Sequence, residues 1–238
     1  SELASDETEG MVLLNHGMFS FGSTARKSYD RMIDLVSLAE QYLVNQNACG
    51  NEEIVSNIKS KKIRNDVSHL RQKVSSVAGN PFLLNLTNSQ LGASFSNRKD
   101  VEKIATRGPL TPDHVIRTKR IPMIGRDVEK YVKEYISYFN THKTNAKEKK
   151  TMLDPAPRVI LDRELGLCAV GKNMSEIGII SDIYEHTIEG ILKSEKLGGF
   201  QALSASDIFN LEYWDLEQAK LHKNSNSLEF QGEVVLIT

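Results

Sequence analysis

The sequence predicts an α/β fold, and three observations support this prediction. Two short apolar segments, at residues 10–21 and 159–171, each contain a glycine-bearing turn and precede an amphipathic helical pattern. Apolar residues make up 39% of the 238 residues, which is enough to form a core. No run approaches the ~18 consecutive apolar residues that a membrane-spanning helix requires. We therefore expect a soluble α/β protein.

The charge balance and the cysteines narrow the class of protein further. The net charge is −1, with 30 basic and 31 acidic residues, whereas a nucleic-acid-binding domain usually has a pI above about 9. Cys49 and Cys168 lie far apart and match no disulfide framework or CxxC motif, and no signal peptide is present. We expect a cytoplasmic protein with neither a membrane nor a nucleic-acid partner.

The first predicted unit is a β-hairpin followed by a helix. Residues 10–14 are a predicted buried strand, residues 15–17 a tight turn and residues 18–21 a second strand. Ser23 or Thr24 provides the N-cap of the helix. The helix places on one face the apolar residues that recur every three or four positions: Tyr29, Met32, Ile33, Val36, Ala39 and Leu43.

The middle of the chain contains two further predicted helices. The first has an apolar stripe formed by Ile63, Val67, Leu70, Val74 and Val77. Its basic residues form either a solvated face or a surface for an acidic partner: Lys59, Lys61, Lys62, Arg64, Arg71 and Lys73. Residues 79–107 are predicted as strands and loops, and residues 127–139 as the second helix. The charged segment 141–150 is a predicted flexible loop or hinge.

The pattern of the first unit returns later in the chain. Residues 159–161 and 165–171 are predicted strands, and a helix through residues 177–191 follows. Gly17 and Gly22 have counterparts at residues 166 and 171, at the same offset of 149. This spacing suggests an internal repeat, and a chance match stays open as the alternative.

The end of the chain combines a helix with an apolar segment. Residues 205–223 are predicted as one helix with Phe209, Tyr213, Leu216 and Lys220 on one stripe. Residues 232–238 are typical of a central parallel strand, with a short edge strand as the alternative. A central strand needs partner strands, so we expect the sequence to be part of a longer protein that extends beyond both ends.

One histidine is a candidate metal ligand. The chain has six histidines, and none of the six forms an HxH or HxxxH pair: His16, His69, His114, His142, His186 and His222. His16 differs from the others because it lies in the turn of the first hairpin, from which a side chain can point into a cleft. The alternative is a turn histidine that only stabilises the backbone.

Two charged groups are further candidates. The first group is either a phosphate site or a solvated strand face: Arg117, Lys119 and Arg120. The second is either a set of paired acids or an exposed helix face: Glu212, Asp215 and Glu217. The chain has no GxGxxG, P-loop or GxSxG motif, so it contains no recognisable nucleotide-binding or nucleophile-elbow sequence.

Four segments carry a family resemblance: Met11–Gly22 (MVLLNHGMFSFG), Arg107–Lys119, Asp154–Leu161 and Glu212–Leu221. Taken in order, they resemble the class II aldolase/adducin family. In particular, they resemble the aldolase half of bifunctional rhamnulose 1-phosphate aldolase/short-chain dehydrogenase proteins. Residues 232–238 are similar to the first strand of a Rossmann dehydrogenase domain, ahead of its glycine-rich turn.

The resemblance implies a partial class II aldolase/adducin-like α/β module with a degenerate second copy. Residues 1–50 would be the C-terminal part of the aldolase/adducin domain, residues 51–225 the second, degenerate region and residues 226–238 the start of a truncated Rossmann domain. The implied protein is a homo-oligomeric aldolase that cleaves a ketose 1-phosphate with zinc or another divalent metal. It is fused to a short-chain dehydrogenase that uses NAD(P).

The resemblance also implies three zinc-binding histidines, with zinc polarising the ketose phosphate. Only His16 matches here, and the HxH pair, the catalytic acid and the phosphate-binding loop are expected upstream. Residues 109–111 and 163–165 are the corresponding segments of the second copy, which is expected to be metal-free. Residues 1–238 alone should therefore have little aldolase activity. An adducin-like oligomerisation module and a structural platform for the dehydrogenase stay open as alternatives.

Overall fold

The computed structural model describes residues 5, 7–14, 16–49, 62–144, 146, 148–222 and 229–237. The chain divides into two compact units. The first consists of residues 1–51 and 192–199, and the second of residues 52–191 and 200–238. The mixture of strands and helices agrees with the predicted α/β class. The domain identities predicted for residues 1–50, 51–225 and 226–238 stay predictions.

The first unit contains the predicted hairpin and helix. Strands β1 (Gly10–Leu13) and β2 (Gly17–Ser20) pair antiparallel, and helix α1 (Ala25–Asn45) follows. Thr24 is the N-cap, because its hydroxyl oxygen accepts a hydrogen bond from the Lys27 N–H at 3.1 Å. The element types predicted for this segment are confirmed.

The predicted burial of the strand at residues 10–14 is wrong, and the apolar face of α1 is exposed as well. Val12 is 67% exposed and Tyr29 is 64% exposed, and no residue of α1 is buried. The apolar stripe of α1 is present in the sequence pattern. Among the residues with a described position, however, nothing covers it enough to bury a side chain. The pattern of α1 therefore marks an apolar face rather than a core contact.

The second unit is built on a four-stranded sheet. Its strands are β3 (Leu83–Leu86), β4 (Met123–Ile124), β5 (Val159–Asp162) and β6 (Gly166–Gly171), in the spatial order β3-β6-β5-β4. The pairs β3/β6 and β5/β6 are antiparallel, and β4 runs parallel to β5. Every residue of β5 and β6 is buried, so the centre of the sheet lies in the core of this unit.

The chain also contains a short 3-10 turn at Pro112–His114 and eight further helices among the described residues. The helices are α2 (Lys62–Ala78), α3 (Gln90–Ser96), α4 (Val101–Ala105), α5 (Val115–Thr118), α6 (Val128–Lys143), α7 (Met174–Glu195), α8 (Ala205–Glu212) and α9 (Asp215–His222). Helix α2 contributes Leu70 and Val74 to the core, and Val67 packs beside them. The predicted apolar stripe of α2 is therefore confirmed. Across the described ranges, no helix is both long and apolar enough to cross a membrane.

The two hairpin–helix segments share one spacing. β1, β2 and α1 begin at residues 10, 17 and 25, and β5, β6 and α7 begin at residues 159, 166 and 174, so each start is offset by 149 residues. Gly17 and Gly166 both have a positive φ, which glycine adopts at low cost. Leu165 stands at the position equivalent to His16 and is fully buried. The element predictions for both segments are confirmed, and their common origin stays a prediction.

Residues 79–107 match their prediction as strands and loops only in part: β3 is a strand, but α3 and α4 are helical. The Ser89 hydroxyl accepts a hydrogen bond from the Gly92 N–H at 3.0 Å and caps α3. A Cβ atom at Gly92 would lie 2.7 Å from the Cβ of Leu167 on β6. The cap and this close packing stabilise a helix that the Asn, Ser and Gly content of the segment disfavours.

The predicted helix over residues 205–223 is two helices, with Tyr213 and Trp214 between them. The side-chain amide of Gln218 donates a hydrogen bond to the carbonyl of Glu212 and so closes the end of α8. Of the predicted stripe, Tyr213 is buried, whereas Leu216 is 60% exposed. The break therefore turns the second half of the stripe away from the core.

Two other segments also differ from their predictions. The loop predicted to begin at residue 141 begins later, because α6 continues to Lys143. No strand forms at residues 232–237, the described part of the predicted terminal strand, and Leu236 is 87% exposed. An apolar run forms a strand only when another strand pairs with it, and none does so within the described ranges.

Candidate functional site

A polar cavity of about 560 Å³ lies in the second unit, bordered by Lys172, the residue that follows β6. This volume falls within the ~300–1,000 Å³ that is usual for small-molecule sites. We call it the Lys119 cavity. Its charged lining residues are Arg117, Lys119, Asp154, Arg158, Lys172, Glu176, Glu212, Lys220 and Glu229. Segments distant in sequence therefore bring both signs of charge to one concave surface.

The backbone of Lys119 is strained. Lys119 ends α5, donates its N–H to the carbonyl of Val115 at 3.0 Å and has φ 63° and ψ 170°. This combination is almost restricted to glycine and costs a residue with a side chain on the order of 1–3 kcal/mol. Such strain clusters at ligand and active sites. Here it falls on a lysine that borders a cavity.

The amine of Lys119 is buried among polar groups. Its side chain is 5% exposed, and Nζ donates hydrogen bonds to the carbonyl of Asp154 at 2.8 Å and to the hydroxyl of Tyr135 at 3.1 Å. Burial, together with the charge of Arg158, lowers the pKa of Lys119 to about 8, against the opposing effects of Glu212 and Asp154. More of this amine is therefore neutral near pH 7 than in an ordinary lysine, although the protonated form still predominates.

A buried carboxyl group faces the amine. Glu212 is fully buried, and its Oε1 lies 4.0 Å from Nζ of Lys119. Oε1 accepts a hydrogen bond from the hydroxyl of Tyr135 at 2.9 Å, and Oε2 has no hydrogen-bond partner among the described residues. Burial raises the pKa of Glu212, although Lys119 opposes the shift. The carboxyl group is therefore biased toward holding a proton.

Two tyrosines complete the network around this pair. The hydroxyl of Tyr135 lies 2.8 Å from the hydroxyl of Tyr213, which also accepts a hydrogen bond from the backbone N–H of Leu153 at 3.3 Å. Burial raises the pKa of Tyr135 far above its usual range, and the neighbouring Glu212 adds to this shift. Tyr135 therefore stays protonated while it connects Lys119 to Glu212.

The segment Asp154–Arg158 forms another wall of the cavity. The guanidinium of Arg158 donates hydrogen bonds to the carboxylate of Asp154 at 2.6 Å and to the carbonyl of Ala156 at 2.9 Å. Burial alone would raise the pKa of Asp154, but the charges of Arg158 and Lys119 hold it below its ordinary value. Proline at positions 155 and 157 restricts the backbone between the paired side chains.

Two cations at the cavity have no fixed partner. Within the described ranges, the side chains of Arg117 and Lys172 form no ion pair or hydrogen bond. Glu176 is occupied, because its carboxylate accepts the backbone N–H of Lys172 at 2.7 Å. The side chain of Asn173 accepts the N–H of Glu176 at 2.8 Å and so caps the start of α7. Arg117 and Lys172 are therefore free to contact an anion.

The structure brings part of the predicted basic group to the cavity. Arg117 and Lys119 border it, and the guanidinium of Arg120 lies 5.0 Å from the centroid of the Tyr138 ring. The alternative of a solvated strand face is wrong, because α5 is a helix and Lys119 is buried. This interpretation failed because a short helical turn looks like a strand in sequence.

The acidic residues Glu212, Asp215 and Glu217 do not all lie on an exposed helix face, which was one of their two predicted alternatives. Glu212 and Glu217 are buried, and Asp215 is exposed. The exposed-face alternative is therefore wrong for two of the three acids. The break between α8 and α9 is the cause, because it changes the directions that these side chains take. Of the three, Glu212 borders the cavity.

His16 lies in the first unit and is exposed. Its ring stacks on Phe19 with centroids 5.5 Å apart, and its backbone N–H donates to the carbonyl of Leu13 at 3.1 Å. Asn15 lies outside the described residues. In the described part of the chain, no group of three or more histidine, cysteine, aspartate or glutamate residues could hold a metal ion. Zinc takes three or four protein ligands, so these residues do not fit a zinc site.

Sequence reasoning missed the partners of Lys119. Tyr135 was expected only as an inward-facing helix residue, and Asp154 and Arg158 had no predicted role beyond the family resemblance. One local signal could have found the last two. An acid and an arginine four positions apart, separated by two prolines, indicate a rigid segment that can hold an ion pair.

Comparison with known families agrees with the α/β architecture and gives the class of the protein. Residues 61–221 match the family model described as "Aldolase class II, second domain", which is more than half of the chain. The chain therefore belongs to the class II aldolase family and contains its second domain. Every residue that borders the Lys119 cavity falls within the matched range except Glu229 and Gln231.

A curated relative extends the comparison to nearly the whole sequence. The chain is 24% identical over 252 aligned positions to the "Uncharacterized oxidoreductase YuxG" of Bacillus subtilis (strain 168). The alignment covers 97% of this chain and 36% of the relative, so the chain spans about a third of that protein's length. No solved structure matches the chain.

Proposed function

We propose that the protein containing this chain is an aldolase that cleaves a phosphorylated ketose, and that the Lys119 cavity binds this ketose. The observation that carries the proposal is a strained, buried lysine at the border of a cavity with unpaired cations. Membership of the class II aldolase family supports the reaction type. The cavity supports the class of ligand.

The charges around the cavity suit a phosphorylated sugar. Arg117 and Lys172, which lack partners among the described residues, can bind the phosphate through charge-assisted hydrogen bonds. Asn80, Asp154 and Glu229 border the same space and offer acceptors for sugar hydroxyl groups. A purely apolar ligand would leave these groups desolvated and unpaired, at a high cost in free energy.

Further parts of the proposal concern the whole protein. The family resemblance supports a ketose 1-phosphate such as rhamnulose 1-phosphate, zinc as the metal and a cytoplasmic homo-oligomer. The word "oxidoreductase" in the relative's name supports a dehydrogenase that uses NAD(P) in the same protein. His16 is the proposed contribution of this chain to the metal site. The other two ligands would be the HxH pair that the family resemblance implies upstream of the His16 turn.

A non-catalytic, adducin-like interaction module is the second candidate. The observation that favours it is the uncovered apolar stripe of α1, on which Tyr29 is 64% and Ile33 is 48% exposed. Apolar surface of this kind is typical of protein contacts. This candidate predicts self-association without ligand binding, whereas the aldolase proposal requires a ligand in the cavity.

Binding of dihydroxyacetone phosphate to residues 1–238, measured by isothermal titration calorimetry, tests the proposal. We expect saturable binding that weakens about tenfold or more in Arg117→Gln and is unchanged in the control Arg64→Gln, which changes an exposed arginine of α2. Dihydroxyacetone and inorganic phosphate serve as ligand controls. If dihydroxyacetone phosphate shows no saturable binding while the protein is folded, the proposed role of the cavity is wrong.

A further inference from the structure

We propose that Lys119 and Glu212 together bind one hydroxyl group of the phosphorylated ketose and so determine which phosphorylated ligands the cavity accepts. The proposal rests on the proposed function, because it requires that ligand in the Lys119 cavity. Three structural features carry it: a spare N–H of the lysine, a spare oxygen of the glutamate, and a separation between the two groups that one ligand oxygen can bridge.

The amine of Lys119 has one N–H to spare. A protonated lysine has three N–H donors, and this form predominates near pH 7 because burial lowers the pKa of Lys119 only to about 8. Nζ donates to the carbonyl of Asp154 at 2.8 Å and to the hydroxyl of Tyr135 at 3.1 Å. Nζ also lies 4.3 Å from the centroid of the Tyr135 ring, which attracts the charge without accepting a conventional hydrogen bond. Within the described part of the chain, the third N–H therefore has no acceptor.

The carboxyl group of Glu212 has one oxygen to spare. Oε1 accepts a hydrogen bond from the hydroxyl of Tyr135 at 2.9 Å, whereas Oε2 is buried and has no hydrogen-bond partner among the described residues. The hydroxyl of Tyr138 is near enough to affect the pKa of this carboxyl group but forms no hydrogen bond with Oε2. An unpaired buried oxygen is costly. Because Glu212 borders the cavity, a ligand can relieve this cost.

The two groups are too far apart to pair with each other but close enough to share one ligand oxygen. Nζ of Lys119 and Oε1 of Glu212 lie 4.0 Å apart, beyond the ~3.2 Å of an N–H···O hydrogen bond. An oxygen about 2.8 Å from both groups can span this separation. The structure already contains one such bridge, because the hydroxyl of Tyr135 contacts Nζ at 3.1 Å and Oε1 at 2.9 Å. A ligand hydroxyl would form a second bridge of the same kind.

A hydroxyl group suits this pair better than the other groups of a sugar phosphate. It accepts from the ammonium and donates to a carboxylate, or accepts from both groups when Glu212 is protonated, the form that burial favours. A phosphate would lie near Asp154, whose pKa is held low by Arg158 and Lys119, so that like charges would repel. An apolar group would leave the spare N–H and Oε2 unpaired.

The position of the amine is fixed before a ligand arrives. The backbone of Lys119 at φ 63° departs from the helix that precedes it, and the two hydrogen bonds from Nζ hold the end of the side chain. Groups fixed in this way lose less conformational entropy on binding. A site built to hydrogen-bond a ligand hydroxyl also rejects the analogue that lacks it, because its polar groups are then left unpaired. We therefore expect the cavity to discriminate against a deoxy ligand.

Isothermal titration calorimetry with two ligands tests the proposal without any substitution. Dihydroxyacetone phosphate has one free hydroxyl group, and hydroxyacetone phosphate differs from it only by a hydrogen in place of that hydroxyl. We expect residues 1–238 to bind dihydroxyacetone phosphate about tenfold to 100-fold more tightly. Equal affinities would overturn the hydroxyl site and leave the proposed function standing. The absence of saturable binding by both ligands would overturn the two proposals together.

Two variants assign the preference to this pair. Lys119→Met and Glu212→Gln should each reduce the ratio of the two affinities about tenfold. Because both residues bind the same hydroxyl, the double variant should lose little more than either single variant. The ratio does not depend on the folded fraction, since both ligands bind the same folded protein. Lys133→Met and Glu129→Gln, which change exposed residues of α6, are the matched controls and should keep the ratio. A ratio that survives both Lys119→Met and Glu212→Gln would overturn the assignment.

Discussion

The amine of Lys119 and the carboxyl group of Glu212 lie 4.0 Å apart, and both are buried. Removing two such groups from water costs several kcal/mol for each ion, and a pair of apolar residues of similar volume is often at least as stable. Lys119 adds the cost of a backbone conformation that favours glycine. Neither cost helps the protein to fold, which is why we assign this pair to ligand chemistry.

The first prediction concerns the pH dependence of stability. Because folding lowers the pKa of Lys119 from its ordinary value to about 8, the unfolded chain binds this proton more tightly between about pH 8 and pH 10.5. Within this range the contribution of Lys119 to the free energy of unfolding rises with pH, by up to about 3 kcal/mol. Urea denaturation of the unmodified chain and of Lys119→Met at several pH values isolates the contribution of Lys119 to the free energy of unfolding. A constant difference between the two proteins would show that the amine is not perturbed.

The second prediction compares two buried tyrosines of α6. The hydroxyl of Tyr135 contacts Lys119, Glu212 and Tyr213, whereas the hydroxyl of Tyr131 donates to one carbonyl, that of Ile121. Tyr135→Phe should therefore lower the free energy of unfolding by about 2–3 kcal/mol, and Tyr131→Phe by about 1 kcal/mol. Urea denaturation measures both. Equal losses would mean that the network around Lys119 adds nothing beyond single hydrogen bonds.

The sequence predicted the elements of the fold better than it predicted their surroundings. Local periodicity and turn residues were sufficient for the two hairpin–helix segments and for α2. Burial depends on what lies opposite an element, and periodicity carries no information about that. The stripe of α1 and the stripe of α2 look alike in sequence, yet Tyr29 is exposed and Val74 is buried. The helix α3 was missed for the same reason: Gly92 packs against Leu167, and sequence periodicity does not show such a tertiary contact.

The candidate site was predictable only in part. The basic residues Arg117, Lys119 and Arg120 were visible as a candidate phosphate site, because charge and proximity in sequence were enough to find them. The network around Lys119 joins residues 119, 135, 154 and 212, which are far apart in the sequence. No local pattern connects these positions, and only the tertiary fold brings them together. The strained backbone of Lys119 likewise has no signature in a chain where lysine is common.

The third prediction uses two helical glycines. Gly92→Ala in α3 would place a Cβ atom 2.7 Å from Leu167, and this overpacking should cost about 1–3 kcal/mol of stability. The control is Gly178→Ala in α7, where nothing lies within 4 Å of the added atom. It should stabilise the protein by about 0.5–1 kcal/mol, because alanine favours helix. Thermal or urea unfolding of both variants measures whether each substitution lowers or raises the free energy of unfolding. A neutral Gly92→Ala would contradict the close packing of α3 on β6.

The fourth prediction concerns His16 in the whole protein that carries this chain. If His16 is one of three zinc ligands, His16→Ala should abolish zinc binding and aldol cleavage, because a zinc site with one fewer protein ligand loses its geometry. Dehydrogenase activity should remain and serves as the control for folding. Zinc content is measured by elemental analysis alongside both activities. Retention of zinc and cleavage would leave His16 as a turn residue whose ring contacts Phe19.

A crystal structure of residues 1–238 with dihydroxyacetone phosphate tests the central claim most directly. The claim is that the Lys119 cavity binds a phosphorylated ketose. The account predicts density for the phosphate against Arg117 and Lys172, with the rest of the ligand inside the Lys119 cavity. A ligand bound elsewhere on the chain, or an empty cavity at a concentration that saturates binding in solution, would contradict it.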